Sequence, residues 1–145
     1  MPHISATCPA TLASSARNRI CNMTDQPIIE TFESVEWKDF PNAPGVQYVD
    51  VEGSISSPGP FLARVRFPGG IDTPPHRHEA PFIDRNTVIS GTLFVGIGET
   101  FDKSKGIAVP PGGVVAIPPG VAHFAWSDEE TVVHVHGEGP WLPTA

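Results

Sequence analysis

The sequence is short of cysteine, of positive charge and of long apolar runs, and each shortage removes a class of function. Its two cysteines, Cys8 and Cys21, stand near the start with no C-x-x-C spacing, so neither a disulfide framework nor a thiolate metal knuckle is indicated. Only 9 Lys and Arg stand against 16 Asp and Glu, a net charge of −7, which argues against nucleic acid or an anionic membrane surface as partner. No apolar stretch approaches the roughly 20 residues a membrane span needs. Residues 1–22 lack the apolar centre of a secretory signal, and the expected location is the cytoplasm. No segment shows sustained 3.6-residue periodicity, no repeat is visible, and no nucleophile or phosphate-cradling motif stands out.

What is present is turn chemistry between short strands. The chain of 145 residues holds 17 Pro and 14 Gly, a share that suits many strands joined by tight turns better than it suits helices. That length fits one domain. Residues 1–26 are polar and rich in Ser, Thr and Ala, and are expected to be a disordered tail, with the folded domain over 27–145. Met23-Thr24-Asp25-Gln26 also reads as a natural start, so that residues 1–22 are a tail or an over-extended reading of the gene. Strands are expected at Val46–Glu52, Phe61–Phe67, Thr87–Gly96, Ile107–Val109, Val114–Ile117, His123–Trp126 and Thr131–His136. In Phe61–Phe67 alternation turns Phe61, Ala63, Val65 and Phe67 inward and Arg64 and Arg66 outward. The pattern is all-β, a sandwich or a barrel.

The richest stretch is Gly70-Ile71-Asp72-Thr73-Pro74-Pro75-His76-Arg77-His78, with an echo in Gly112 to His123 through Pro118-Pro119-Gly120-Val121-Ala122-His123. An H-x-H pair entering a strand puts two imidazoles on one face, and a third after a Pro-x-Gly turn can meet them from a neighbouring strand. Converging neutral imidazoles bind Zn, Fe, Ni or Cu. The two stretches resemble the paired signature motifs of the cupin superfamily: Gly70, His76, His78 and Gly91 match the first, and Gly112, Pro118, Gly120 and His123 the second. Segments between Asp84 and Trp141 are further similar to a widespread group of small bacterial cupins. The resemblance implies a single-domain double-stranded β-helix, a jelly-roll barrel, with one divalent metal (Fe, Mn, Ni, Co or Zn) held by His76, His78 and His123.

The family's acidic ligand has no partner at its usual distance from His78, where Phe82 and Ile83 stand. Counted back from Gly91 it falls on Asp84, which implies a loop two residues longer and Asp in place of Glu. Glu79 is the competing carboxylate, and its position next to His78 points it to the opposite face. Trp126 stands near the family's terminal asparagine position. Phe82, Phe94, Phe124 and Trp126 are expected to line core and pocket, and His136, heading His-Gly-x-Gly-Pro-Trp, to support the site from behind the ligands. Arg77, between two inward histidines, is expected to face solvent, and His134 to be a surface residue or one of a cross-strand pair. The resemblance implies a metal-dependent enzyme for a small organic molecule, most simply a dioxygenase. An isomerase or lyase at the same site and a non-catalytic ligand-binding cupin stay open, because function sits in the site and not in the fold. A homodimer covering open sheet edges is also expected.

Overall fold

The computed structural model describes residues 26–142. After a single 3-10 turn at Phe32–Ser34, the chain forms β1 (Lys38–Asp39), β2 (Gln47–Glu52), β3 (Gly59–Phe67), β4 (Ile71–His76), β5 (Asp84–Ser90) and β6 (Leu93–Ile97). A second 3-10 turn at Lys103–Lys105 precedes β7 (Ile107–Val109), β8 (Val114–Ile117), β9 (His123–Ser127) and β10 (Thr131–Gly139). All pairings are antiparallel. Six strands make one sheet in the order β1-β2-β3-β10-β5-β8, and four make the other, β4-β9-β6-β7. The two sheets face each other, the jelly-roll arrangement expected for the chain.

Alternation sets the core. Phe61, Ala63 and Val65 of β3, Val88 of β5, and Val133 and Val135 of β10 all turn inward to meet Leu93 of β6. Arg64 and Arg66 face the other way, as expected, yet they do not lie bare. Glu30 bonds Arg64 at 2.7 Å, the Phe32 ring lies 5.3 Å from its guanidinium, and the Trp37 ring lies 4.3 Å from that of Arg66. The segment before β1 is thus strapped across the outer face of the larger sheet.

Two strand assignments change. Thr87–Gly96, read from sequence as one strand, is two: β5 ends at Ser90, and the chain turns through Gly91 and Thr92 into β6 of the opposite sheet. Gly91 has φ 74°, and a Cβ there would strike Glu130 and Thr131 backbone or side-chain atoms, so the turn needs glycine. Ile71–His76 is a strand although Pro74 and Pro75 lie in it. β4 is a sheet edge, where proline withdraws no required hydrogen bond, and its register with β9 slips between Thr73 and His76. His76 therefore closes a strand and His78 lies just beyond it, so the H-x-H pair leaves a strand instead of entering one.

Candidate metal centre

His76 at the end of β4 pairs across the sheet with His123 at the start of β9, so strand register alone sets two imidazoles side by side. His78 follows two residues on, where the backbone N–H of Gly120, in the Pro-x-Gly turn, donates to its carbonyl at 2.9 Å. The three rings stand 4.3–5.2 Å apart between centroids. One nitrogen from each lies within 4.8 Å of the others, close enough for a single ion.

The ring tautomers are set by the backbone. Nδ1 of His76 donates to the Pro74 carbonyl at 2.8 Å, and Nδ1 of His123 to the Val121 carbonyl at 2.9 Å. Each bond leaves the Nε2 lone pair of a neutral ring for a ligand. His78 is buried with neither nitrogen hydrogen-bonded, and the buried Nε2 of His123 has only the Asp84 carboxylate beside it, at 3.1 Å. Buried ring nitrogens without partners are costly. A divalent cation would satisfy one nitrogen of each ring, and the donor set fits Fe, Mn, Ni, Co or Zn.

Asp84 opens β5, on the opposite sheet, and its Oδ2 lies 3.1 Å from Nε2 of His123 and 3.5 Å from Nε2 of His78. Burial alone would push its carboxyl up, but the two histidines beside it hold it well below the usual carboxylate range. His123 shows the counterpart: burial draws it down, and Asp84 together with the Val121 carbonyl outweighs burial and raises it. His76 is lowered, chiefly by burial, with His123 and His78 adding to the effect. Asp84 is thus an anion facing the imidazole nitrogens. Asn86, two residues on and on the same strand face, donates from Nδ2 to Asp84 Oδ1 at 2.7 Å. Sequence reasoning overlooked Asn86, although the period of two that carries Asp84 inward carries it too.

All these groups open on a cavity of about 1300 Å³ between the sheets. Its walls include Phe40, Val65, Phe67, Leu93, Val95 and Trp141, and none of the four aromatics expected to line it. Phe82 is fully buried among Phe61, Trp141 and the edge of His78. Phe94, Phe124 and Trp126 lie on the outer face of the smaller sheet, packed with Phe101 of the following loop. His123 faces in, so alternation sends Phe124 and Trp126 out. His136 is also displaced from its expected place. Val133 and Val135 occupy the inner face of β10, so His136 lies with His134 on the outer one, paired with Leu62 and Arg85. Glu79 is exposed and borders the cavity, but is not among the groups that converge on one point. Arg77 is half exposed, as expected, and bonds Glu99. Trp141 belongs to the run singled out in the sequence, where attention fell on His136 instead; its indole nitrogen is buried without a partner.

No protein-family model matches the sequence, and no curated protein matches it. Solved structures do match in fold. A polyketide cyclase, RemF, from Streptomyces resistomycificus aligns with a TM-score of 0.64 at 18% identity, over 81% of this chain and 83% of that one. An RmlC-like cupin from Shewanella frigidimarina aligns at 0.57 and 16% identity, over 78% and 91%. A salicylate 1,2-dioxygenase from Pseudaminobacter salicylatoxidans aligns at 0.55 and 14% identity, over 68% of this chain and 28% of that longer one. Two facing antiparallel sheets and this set of neighbours make the chain a cupin in fold.

Proposed function

We propose that the protein is a metal-dependent enzyme acting on a small organic molecule, with dioxygenase-like chemistry. One observation carries the reading: three imidazole nitrogens converge within 4.8 Å on the wall of a large cavity, and both nitrogens of His78 are buried with no hydrogen bond. A divalent ion held by His76, His78 and His123, with Asp84 as fourth donor, would supply a Lewis acid and, for a redox metal, a place for dioxygen beside the substrate. The protein's own part is positional. The Pro74 and Val121 carbonyls fix two ring tautomers, Asn86 holds one oxygen of Asp84 and leaves the other turned to the histidines, and apolar walls exclude water. The likeness to a salicylate dioxygenase supports the oxygenase form. A same-site isomerase or lyase is the second reading, favoured by the likeness to a polyketide cyclase.

The test is oxygen uptake by protein loaded anaerobically with Fe(II), Mn(II), Ni(II) or Co(II), then given diketones, catechols or hydroxy acids under air. Uptake that needs both metal and substrate and is lost in His76→Ala is the expected result. Substrate conversion without uptake transfers the assignment to the isomerase or lyase. Tight binding with no conversion under any metal leaves a binding module.

A further inference from the structure

The cavity walls say what kind of molecule this site accepts, an inference that rests on the reading of the cavity as the substrate site. We propose that the ligand is an uncharged, largely apolar molecule about the size of two or three fused rings, carrying an oxygen donor, and not a carboxylate, a phosphate or a sugar acid. Three observations point there.

The first is charge. Four carboxylates border the cavity, those of Asp72, Glu79, Asp84 and Glu99, against one guanidinium, that of Arg77. That guanidinium is already engaged by Glu99 and is half exposed. No lysine lines the space. Asp72 is itself paired with Lys103 at 3.4 Å and Glu99 with Arg77, so in the metal-free site an anionic ligand would meet the carboxylates of Glu79 and Asp84, with no buried Arg or Lys to receive it.

The second is polarity. Phe40 and Trp141 pack with tilted rings 4.9 Å apart between centroids, and Val65, Phe67, Leu93 and Val95 come from both sheets. Besides the three histidines, the neutral polar groups are those of Asn42, Thr73 and Asn86 and the indole N–H of Trp141, with one N–H of Asn86 already given to Asp84. A polyol would lose its hydration without finding enough partners, whereas an apolar ring system gains by leaving water.

The third is size. At about 1300 Å³ the open cleft is larger than the range of about 300–1,000 Å³ usual for small-ligand pockets, so a fused ring system enters without crowding the walls.

The experiment is calorimetric titration of the full-length protein with a matched pair of probes, 2-acetyl-1-naphthol and 1-hydroxy-2-naphthoate. They share ring bulk and a pair of adjacent oxygens and differ in charge. In EDTA-stripped protein the walls alone decide, and the neutral probe is expected to bind about tenfold more tightly. Glu79→Lys, at an exposed position, is expected to narrow that ratio to about threefold by attracting the naphthoate. Equal or tighter binding of the naphthoate, binding of neither probe, or an unchanged ratio in Glu79→Lys overturns the proposal. Reloading with Zn(II) separates the two readings. If the ion changes neither affinity, the metal centre fails while the preference set by the walls stands.

Discussion

His134 is the one histidine whose role on the outer face of the larger sheet can be read from its bonds. Its Nε2 accepts from Nε of Arg64 at 3.0 Å, and Arg64 in turn bonds Glu30. An acceptor nitrogen cannot also carry a proton, so the arrangement requires neutral imidazole. Burial, with Arg64 and His136 adding to it and Glu30 opposing, holds its pKa below the ordinary 6.5. Between the folded value and 6.5 the unfolded chain binds more protons than the folded one. Stability from this group is therefore full above 6.5 and is lost as pH falls through that window. His134→Gln offers an acceptor that does not titrate, while every other histidine remains. Melting temperatures measured at mildly alkaline and mildly acidic pH should show the wild type losing more on acidification than the variant. Equal losses would mean that His134 is not the group responsible.

At the scale of elements, β6 and β9 carry two different surfaces back to back. Their inner side gives Val95, Ala125 and His123 to the cavity. Their outer side carries Phe94, Phe124 and Trp126 under the loop that brings Phe101, with Phe94 and Trp126 stacked at 5.0 Å and 5°. Gly96 and Gly106 make room for this, because a Cβ on Gly96 would run into the Phe124 ring and one on Gly106 into Trp126. Gly96→Ala should cost about 1–3 kcal/mol by overpacking and lower the melting temperature by roughly 3–10 °C. An unchanged melting temperature would show that the ring can move aside.

The sequence held enough to place the three histidines but not the aromatics of this strand pair. The spacing of His76, His78 and His123 depends on local turns and on one strand register, so the histidines come together where the motifs imply. Asp84 was found from the distance to Gly91, which is again local. The cover over Phe124 and Trp126 depends on where the loop after β6 folds back, a tertiary fact that no window of sequence contains. The division of Thr87–Gly96 between two sheets was hidden for a related reason. Val88, Ile89, Leu93 and Phe94 suit a strand equally on either side of the turn, and only the approach of Glu130 and Thr131 shows why Gly91 breaks it.

At the scale of the whole molecule, the segment before β1 ties the outer face of the larger sheet to the cavity wall. Glu30, Phe32 and Trp37 hold it against Arg64 and Arg66; the chain then passes through β1 to Phe40 and Ala43, which line the cavity. The expectation of a dispensable tail concerns residues 1–26, of which 1–25 lie outside the described residues. Two truncations divide that expectation from the strap. Removal of residues 1–22 should leave the melting temperature unchanged, because it takes away none of these contacts. Removal of residues 1–37 takes away the carboxylate of Glu30 and both rings over the guanidinium groups, leaving the buried Arg64 without its anion. The two cation–π contacts and the ion pair together suggest a loss of about 2 kcal/mol, or roughly 6–10 °C in melting temperature. The wall at Phe40 should loosen with it, so binding of a neutral naphthol should weaken in the longer truncation and not in the shorter. If both truncations melt with the full chain, the strap is a surface adornment and the cavity wall is held by the sheets alone.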